Sequence, residues 1–473
     1  MKKISVAVVL FLLAVCNGAL AAEVTVEADG MLNVNGARVF VVGLYENPAE
    51  DAELARAAQA GFNLVRSSAD STALDRLQRH GVYAWVNTGA AIDLSEDTDA
   101  RRGDLQSMNN TLNAHPAMLV WEVPDEALWN CWYEAQMWRR SAEPAEQHKH
   151  INALTDESAR GKLQAQRAQV DALYHKGNYA EAEALSDDLW RQMGLEAPRP
   201  GYGLGNAPER AAKMCNGMRE GYALLKALSG RPVWMNHAPR NQIEQLAAFN
   251  EAADIVGCDI YPVPVNEKVG HSDLSNRSMS CVGDYTRRMA QAAPGKPVWM
   301  VLQGFGWGDI QPDKPEDVRK ELRPPTLEET RYMAFDAIVH GARGILYWGS
   351  HAVKKDSTFY GELLAFVSEL RDLQPVLAAP DAVLDITVSY QPTYGSVDRA
   401  ATVLAKTSDG APWLFVVNEW TNPLACDLRG LKSLNGTKYR DRISGGEAEI
   451  QDGVLSLQMT PQSVQILEPL SRP

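Results

Sequence analysis

The run Trp121-Glu122-Val123-Pro124-Asp125-Glu126 ends on two adjacent carboxylates behind an aromatic residue. Neighbouring carboxylates raise one another's pKa, and a carboxyl that keeps its proton near neutrality can act as a general acid. Either member of the pair, Asp125 or Glu126, is therefore a candidate proton donor, with the other positioning it or a substrate. Capping a helix N-terminus is the plain structural role for the same pair. Asp259, ahead of Ile260-Tyr261-Pro262, is a third acid. It is a candidate base or nucleophile, with turn formation as its plain role. Amides, bases and aromatics recur at comparable places: Tyr45, Arg66, Asn87, Trp121, Asn236, His237, Tyr261, Gln303, Trp307 and Trp348. Carboxylates among flat aromatics suit a carbohydrate. Its C–H faces stack on Trp, and its acetal is cleaved by acid/base work. No Ser or Cys nucleophile elbow and no metal-ligand spacing is present, so neither a metal nor a cofactor is expected.

These residues need a frame that brings distant positions together. Eight short apolar runs, 38–44, 62–66, 82–87, 118–121, 232–236, 255–259, 297–303 and 344–348, lack polar alternation. Strands buried on both faces read this way. Helical patterns lie between them, at 49–60, 71–80, 242–253, 278–292, 326–340 and 359–373, and Gly61, Gly81 and Gly341 mark helix ends. Strand and helix alternating eight times predicts an α/β fold, a (β/α)8 TIM barrel, over 22–379. An open doubly wound sheet is disfavoured because no Gly-rich phosphate loop follows the first strand. The candidate residues then fall at the strands' C-terminal ends, where barrel chemistry is placed. A polar helical insertion, about 131–205, follows strand four. From 380 to 473 the runs alternate or are β-branched and are spaced by turns such as Ser408-Asp409-Gly410. This predicts a C-terminal antiparallel β-sandwich.

Composition narrows the partners. The 473 residues are 45% hydrophobic and 22% charged, as in a globular protein. Twelve Trp and fifteen Tyr against nine Phe suit surfaces that hold polar ligands. A net charge of −14 argues against nucleic acid, which needs Lys and Arg to displace counterions. Lys2 and Lys3, the apolar run 6–15 and Ala19-Leu20-Ala21 predict a cleaved bacterial signal peptide over 1–21. The destination is then the periplasm or the outside. A lipoprotein reading through Cys16 is weaker because Val15 is a poor lipobox residue. No other stretch is long enough to span a membrane. Five cysteines remain, and an odd count leaves at least one unpaired. Cys131 with Cys215 and Cys258 with Cys281 are plausible disulfides in such a compartment. The oligomeric state is not legible.

The run 121–126 resembles the strand-four motif of clan A (β/α)8 glycoside hydrolases, in which an Asn-Glu-Pro follows an aromatic strand and the Glu is the acid/base. Gly61-Phe62-Asn63-Leu64-Val65-Arg66 resembles their strand-two motif, whose Arg supports the sugar subsite. Trp348 resembles the Trp floor of that subsite. The resemblance implies a glycosidase with Glu126 as acid/base. Two departures stand out. Asp125 replaces the usual Asn, and strand seven offers Gln303 where the clan places a nucleophilic Glu. The Asp-Glu pair also resembles hexosaminidases, in which the substrate's own 2-acetamido group is the nucleophile. A noncatalytic carbohydrate-binding barrel is the alternative.

Overall fold

The computed structural model describes residues 21–238, 240–265, 275–391, 397 and 401–470. The expected signal peptide lies outside the described residues except for Ala21. Eight parallel strands close a barrel in chain order: Val41–Leu44, Leu64–Ser67, Tyr83–Asn87, Met118–Glu122, Val233–His237, Ile255–Asp259, Val298–Gln303 and Ala342–Trp348. The eighth pairs with the first, so no edge is left open. The first run of the sequence is divided. Ala37–Val39 joins Val24–Val26 and Leu32–Val34 in a small antiparallel sheet, and only Val41–Leu44 enters the barrel. Gly30 of this sheet abuts Pro297, and Arg343 donates to the Asp29 carbonyl. The small sheet thus covers the barrel at the end opposite the candidate residues.

The helices form where caps and periodicity direct them. Thr326 and Glu329 make a reciprocal capping box at the start of Leu327–Val339. Asp156 accepts from the Ser158 and Ala159 amides at the start of Glu157–His175. After strand four the chain runs through Ala127–Met137, a π-turn at Trp138–Ala142, then Glu143–Asn152, Glu157–His175 and Tyr179–Gln192. These insertion helices carry a small core of their own around Ile151, Val170 and Leu189. Ala207–Leu228 returns the chain to strand five.

The C-terminal region is two facing antiparallel sheets. One holds Thr387–Tyr390, Leu424–Arg429 and Val454–Met459. The other holds Ala401–Ser408, Ala411–Asn418, Ser463–Pro469, Lys438–Asp441 and Glu447–Glu449. Leu424, Cys426, Leu428, Leu455, Leu457 and Leu414 fill the space between them. Phe335 of the barrel stacks on Phe415 of the sandwich at 5.8 Å and 17°. His340 meets the Glu419 carboxylate at 2.8 Å across the same junction.

The expected disulfides do not form. All five cysteines are buried thiols, none bonded to another of the five. Each sulfur fills a core position: Cys131 Sγ lies 3.9 Å from the Met214 sulfur, and Cys258 Sγ lies 3.9 Å from that of Met300. Burial pushes the Cys131 thiol up to about 11 and Cys258 well above the usual thiol range. Among the described residues no helix is long and apolar enough to cross a membrane.

Candidate active site

The floor of the site is built by alternate strands. Tyr45 follows strand one, and Trp85, Trp234 and Trp299 belong to strands three, five and seven. Their rings meet at centroid distances of 5.1 Å (Tyr45–Trp85), 5.5 Å (Trp85–Trp234) and 5.6 Å (Trp234–Trp299). Residues from four separate strands can meet only inside the barrel, as one layer from odd strands. The even strands make room with glycine. A Cβ on Gly257 would lie 1.9 Å from the Trp299 carbonyl oxygen, and one on Gly344 would lie 2.8 Å from the Trp299 ring.

Above this floor the end of strand four delivers the acids. Val123 donates to the Trp234 carbonyl at 3.0 Å, and the Glu126 amide donates to the Asn236 carbonyl at 3.2 Å. Glu126 has φ 50°, in the left-handed region that a non-glycine residue enters at a cost. The bond to Asn236 holds it there at the start of the helix Ala127–Met137. Asp125 accepts from Asn236 Nδ2 at 2.9 Å and from the Tyr45 hydroxyl. Asp259 projects from strand six into the same cavity as Glu126. A charge on one of two neighbouring carboxyls disfavours a charge on the other. Burial raises Glu126 above the ordinary carboxyl range, and the Asp125 charge raises it further. Burial, then the Glu126 and Asp125 charges, push Asp259 well above its ordinary value. Asp125 is raised by burial as well. Asp259 Oδ1 and Asn236 Oδ1 are buried without a hydrogen-bond partner.

Aromatic rings supply the wall. Tyr261 stacks on Trp348 at 5.4 Å and 21°, and Phe305 meets Trp348 edge-on at 5.0 Å. Trp307 Nε1 donates to the Tyr261 carbonyl at 3.4 Å. Tyr45, Asp125, Glu126, Asn236, Asp259, Tyr261, Trp307, Ile310 and Trp348 line a cavity of about 220 Å³. That is below the ~300–1,000 Å³ of typical small-molecule sites, so the cavity holds one small unit of a ligand.

One acid escaped the sequence analysis. Glu122, on strand four, is fully buried beneath Asp125. It accepts from Asn87 Nδ2 at 2.8 Å and Trp85 Nε1 at 3.2 Å, and the Tyr45 hydroxyl lies 3.4 Å from its other oxygen. Burial, then the Asp125 charge, raise it to about 8, against the opposing Arg66. Arg66 Nε stands 3.9 Å away and is partly exposed. Arg66 and Asn87 therefore reach the site through Glu122 and do not line the cavity. The signal was present, since an acid inside an otherwise apolar strand run is itself unusual.

Three expected residues lie elsewhere. Trp121 points out of the barrel, fully buried, with Nε1 3.3 Å from Ser229 Oγ. Side chains alternate along a strand, so Glu122 takes the inner face and Trp121 the outer. His237 likewise faces the helix layer and contacts Asn250 Oδ1 at 2.9 Å, and burial lowers it to about 4. Gln303 has the inner register but no free polar atom. Its Oε1 accepts from the Val263 amide at 2.9 Å, and its Nε2 donates to the Val263 and Phe305 carbonyls at 2.6 and 3.0 Å. It clamps the loop that carries Tyr261 and does not reach into the cavity.

No protein-family model matches the sequence, and no curated protein matches it. Among solved structures the fold is similar to a beta-galactosidase from Bacillus circulans sp. alkalophilus, with a TM-score of 0.50 and 10% identity, covering 91% of this chain and 99% of that one. It is equally similar to a catalytic mutant of a GH42 beta-galactosidase from G. stearothermophilus, with a TM-score of 0.50 and 11% identity, covering 91% and 98%. At that identity the likeness shows the fold alone, a (β/α)8 barrel followed by antiparallel sheets.

Proposed function

We propose that the protein is a glycoside hydrolase that cleaves O-glycosidic bonds of an oligo- or polysaccharide, with Glu126 as general acid. One observation carries this reading. Three carboxyls, Asp125, Glu126 and Asp259, converge in an aromatic-walled cavity at the C-terminal end of a barrel, and each is held above its ordinary pKa. A protonated Glu126 delivers its proton to the glycosidic oxygen as the bond to the anomeric carbon breaks. The carboxylate left behind then takes a proton from the water that completes hydrolysis.

The clamped state of Gln303 directs the choice of nucleophile. An amide with all its polar atoms engaged cannot attack the anomeric carbon. We therefore assign the nucleophile to the substrate. The carbonyl oxygen of a 2-acetamido group closes on the anomeric carbon, Asp125 accepts from the amide N–H, and water opens the resulting oxazolinium ion. A second reading rests on the unpartnered Oδ1 of Asp259, with that residue as nucleophile. A screen of aryl glycosides, including 2-acetamido sugars, tests the function. Mass spectrometry with a slow fluorosugar tests the route. Hydrolysis confined to 2-acetamido substrates with no adduct supports substrate assistance, and an adduct on Asp259 overturns it. Glycan binding with no hydrolysis of any substrate leaves a noncatalytic binding barrel. We further place the protein in the periplasm or outside the cell on the strength of its N-terminal leader; N-terminal sequencing of exported protein should begin near Ala22.

A further inference from the structure

The loops that hold the acids continue into a second cleft. Trp129 lies on the first turn of the helix that Glu126 begins. Arg240 and Asn241 lie on the connection after strand five, which also presents Asn236. These segments border a cleft of about 360 Å³, lined by Trp129, Trp132, Tyr133, Asn241 and, from the helical insertion, Tyr179 and Leu204. The Trp129 and Tyr133 rings stack at 5.9 Å and 22°, and Tyr133 is 44% exposed. Arg240 stands over the Trp129 ring at 6.0 Å. Trp129 is half-buried and Tyr133 exposed, and together they give the cleft aromatic surface of the kind that receives the C–H face of a sugar.

A polar feature in the same cleft points to a ligand independently of the rings. Asn241 is 7% exposed, and its Oδ1 has no hydrogen-bond partner. A buried acceptor left unpaired is costly, and a ligand hydroxyl would satisfy it. Among the described residues no carboxylate lines the cleft, and Arg240 is the one charged residue lining it. The chemistry suits an uncharged, hydroxyl-rich chain.

We propose that this cleft is a carbohydrate-binding subsite continuous with the catalytic cavity, that it receives further units of the substrate chain, and that the helical insertion exists to wall it. The proposal rests on the glycosidase reading for its substrate class. It explains why the catalytic cavity is small: the cavity takes one unit and the cleft takes its neighbours.

The test is isothermal titration of the mature Glu126→Gln protein with chito-, cello-, xylo- and manno-oligosaccharides from disaccharide to hexasaccharide. Affinity should rise with chain length for one of these series. Tyr133→Ala in the same background should reduce the affinity of the longest member about tenfold and flatten the length dependence, whereas Tyr133→Phe retains it. Tyr133 is exposed, so its loss does not threaten folding, and a thermal melt checks this. Affinity independent of length, no binding by any series, or no effect of Tyr133→Ala would overturn the subsite. The two readings fail separately. Aryl monoglycosides cleaved by the wild type without length-dependent binding would leave the glycosidase standing alone. Length-dependent binding that needs Tyr133, with no hydrolysis by the wild type, would leave the subsite standing alone.

Discussion

The helical insertion and the barrel mouth both bury charged side chains, and they treat them in opposite ways. In the insertion Arg139 is fully buried, yet every contact answers its charge. It meets Glu143 and Asp187, each at 2.8 Å, and donates to the Tyr202 carbonyl at 2.5 Å. Glu143 accepts in addition from Trp190 Nε1 at 3.0 Å. Arg167 is shared between Gln147 at 2.7 Å and Asp171 at 2.5 Å. In the barrel mouth Asp125, Glu126 and Asp259 line one cavity, and among the described residues Arg66 is the cation that acts on Asp125 and Glu122. A buried charge met by an opposite charge fixes geometry. Buried acids crowded against each other hold a proton more tightly than free carboxyls do. On the proposed function the first arrangement is a scaffold and the second is a reagent.

Separating fold from activity tests that contrast, and the largest effect belongs to the reagent. Glu126→Gln should lower turnover by roughly 10²–10⁴-fold, because the amide cannot donate the proton. Its melting temperature should stay level or rise, since the carboxyl pair is relieved. Steady-state kinetics and calorimetry on one preparation check both. In the insertion the pattern reverses. Arg139→Met strands Glu143 and should destabilise the protein by about 3–5 kcal/mol in urea denaturation. The barrel acids would be untouched, so a surviving folded fraction should turn over normally.

Gln303 sharpens the comparison, because it sits at the mouth yet behaves as scaffold. Gln303→Ala leaves the Val263 amide and carbonyl buried and unpaired, at a cost of about 1–3 kcal/mol. Hydrogen exchange should rise at Val263, and any loss of rate should come through the displaced Tyr261. A collapse of activity with no change in stability or exchange would return Gln303 to the reacting groups.

The last effect is a slope. Glu122 is held at about 8 against an ordinary 4.5, so the folded protein keeps a proton that the unfolded chain releases. Its contribution to stability is therefore complete below 4.5, declines as pH rises, and is gone above 8. Asp125, Glu126 and Asp259 add to the slope with the same sign. Glu122→Gln should lessen the slope without abolishing it, as read by urea midpoints across that range.

How much of this the sequence disclosed depended on the physical signal each feature leaves. The barrel was legible because eight apolar runs of strand length alternate with capped helices. Tyr45, Asp125, Glu126, Asn236, Asp259, Tyr261, Trp307 and Trp348 were legible as strand-end residues, and the structure gathers them around one cavity. Trp121 and His237 were misplaced because a strand buried on both faces hides which residues turn inward, and one step along it reverses the answer. Glu122 was passed over for the same reason. Gln303 was beyond reach, since its partners are backbone groups of another loop, which no side-chain pattern announces.

The central claim is that Glu126 gives a proton to the departing oxygen. It is tested most directly by the dependence of rate on the leaving group, with wild type and Glu126→Gln compared on aryl glycosides of one sugar. A dinitrophenolate departs without protonation, whereas an alkoxide or unsubstituted phenolate needs it. The account predicts that Glu126→Gln hydrolyses the dinitrophenyl glycoside at a rate near the wild type's and loses roughly 10²–10⁴-fold on the poor leaving groups. An equal loss across the series, or no loss on any member, would contradict it.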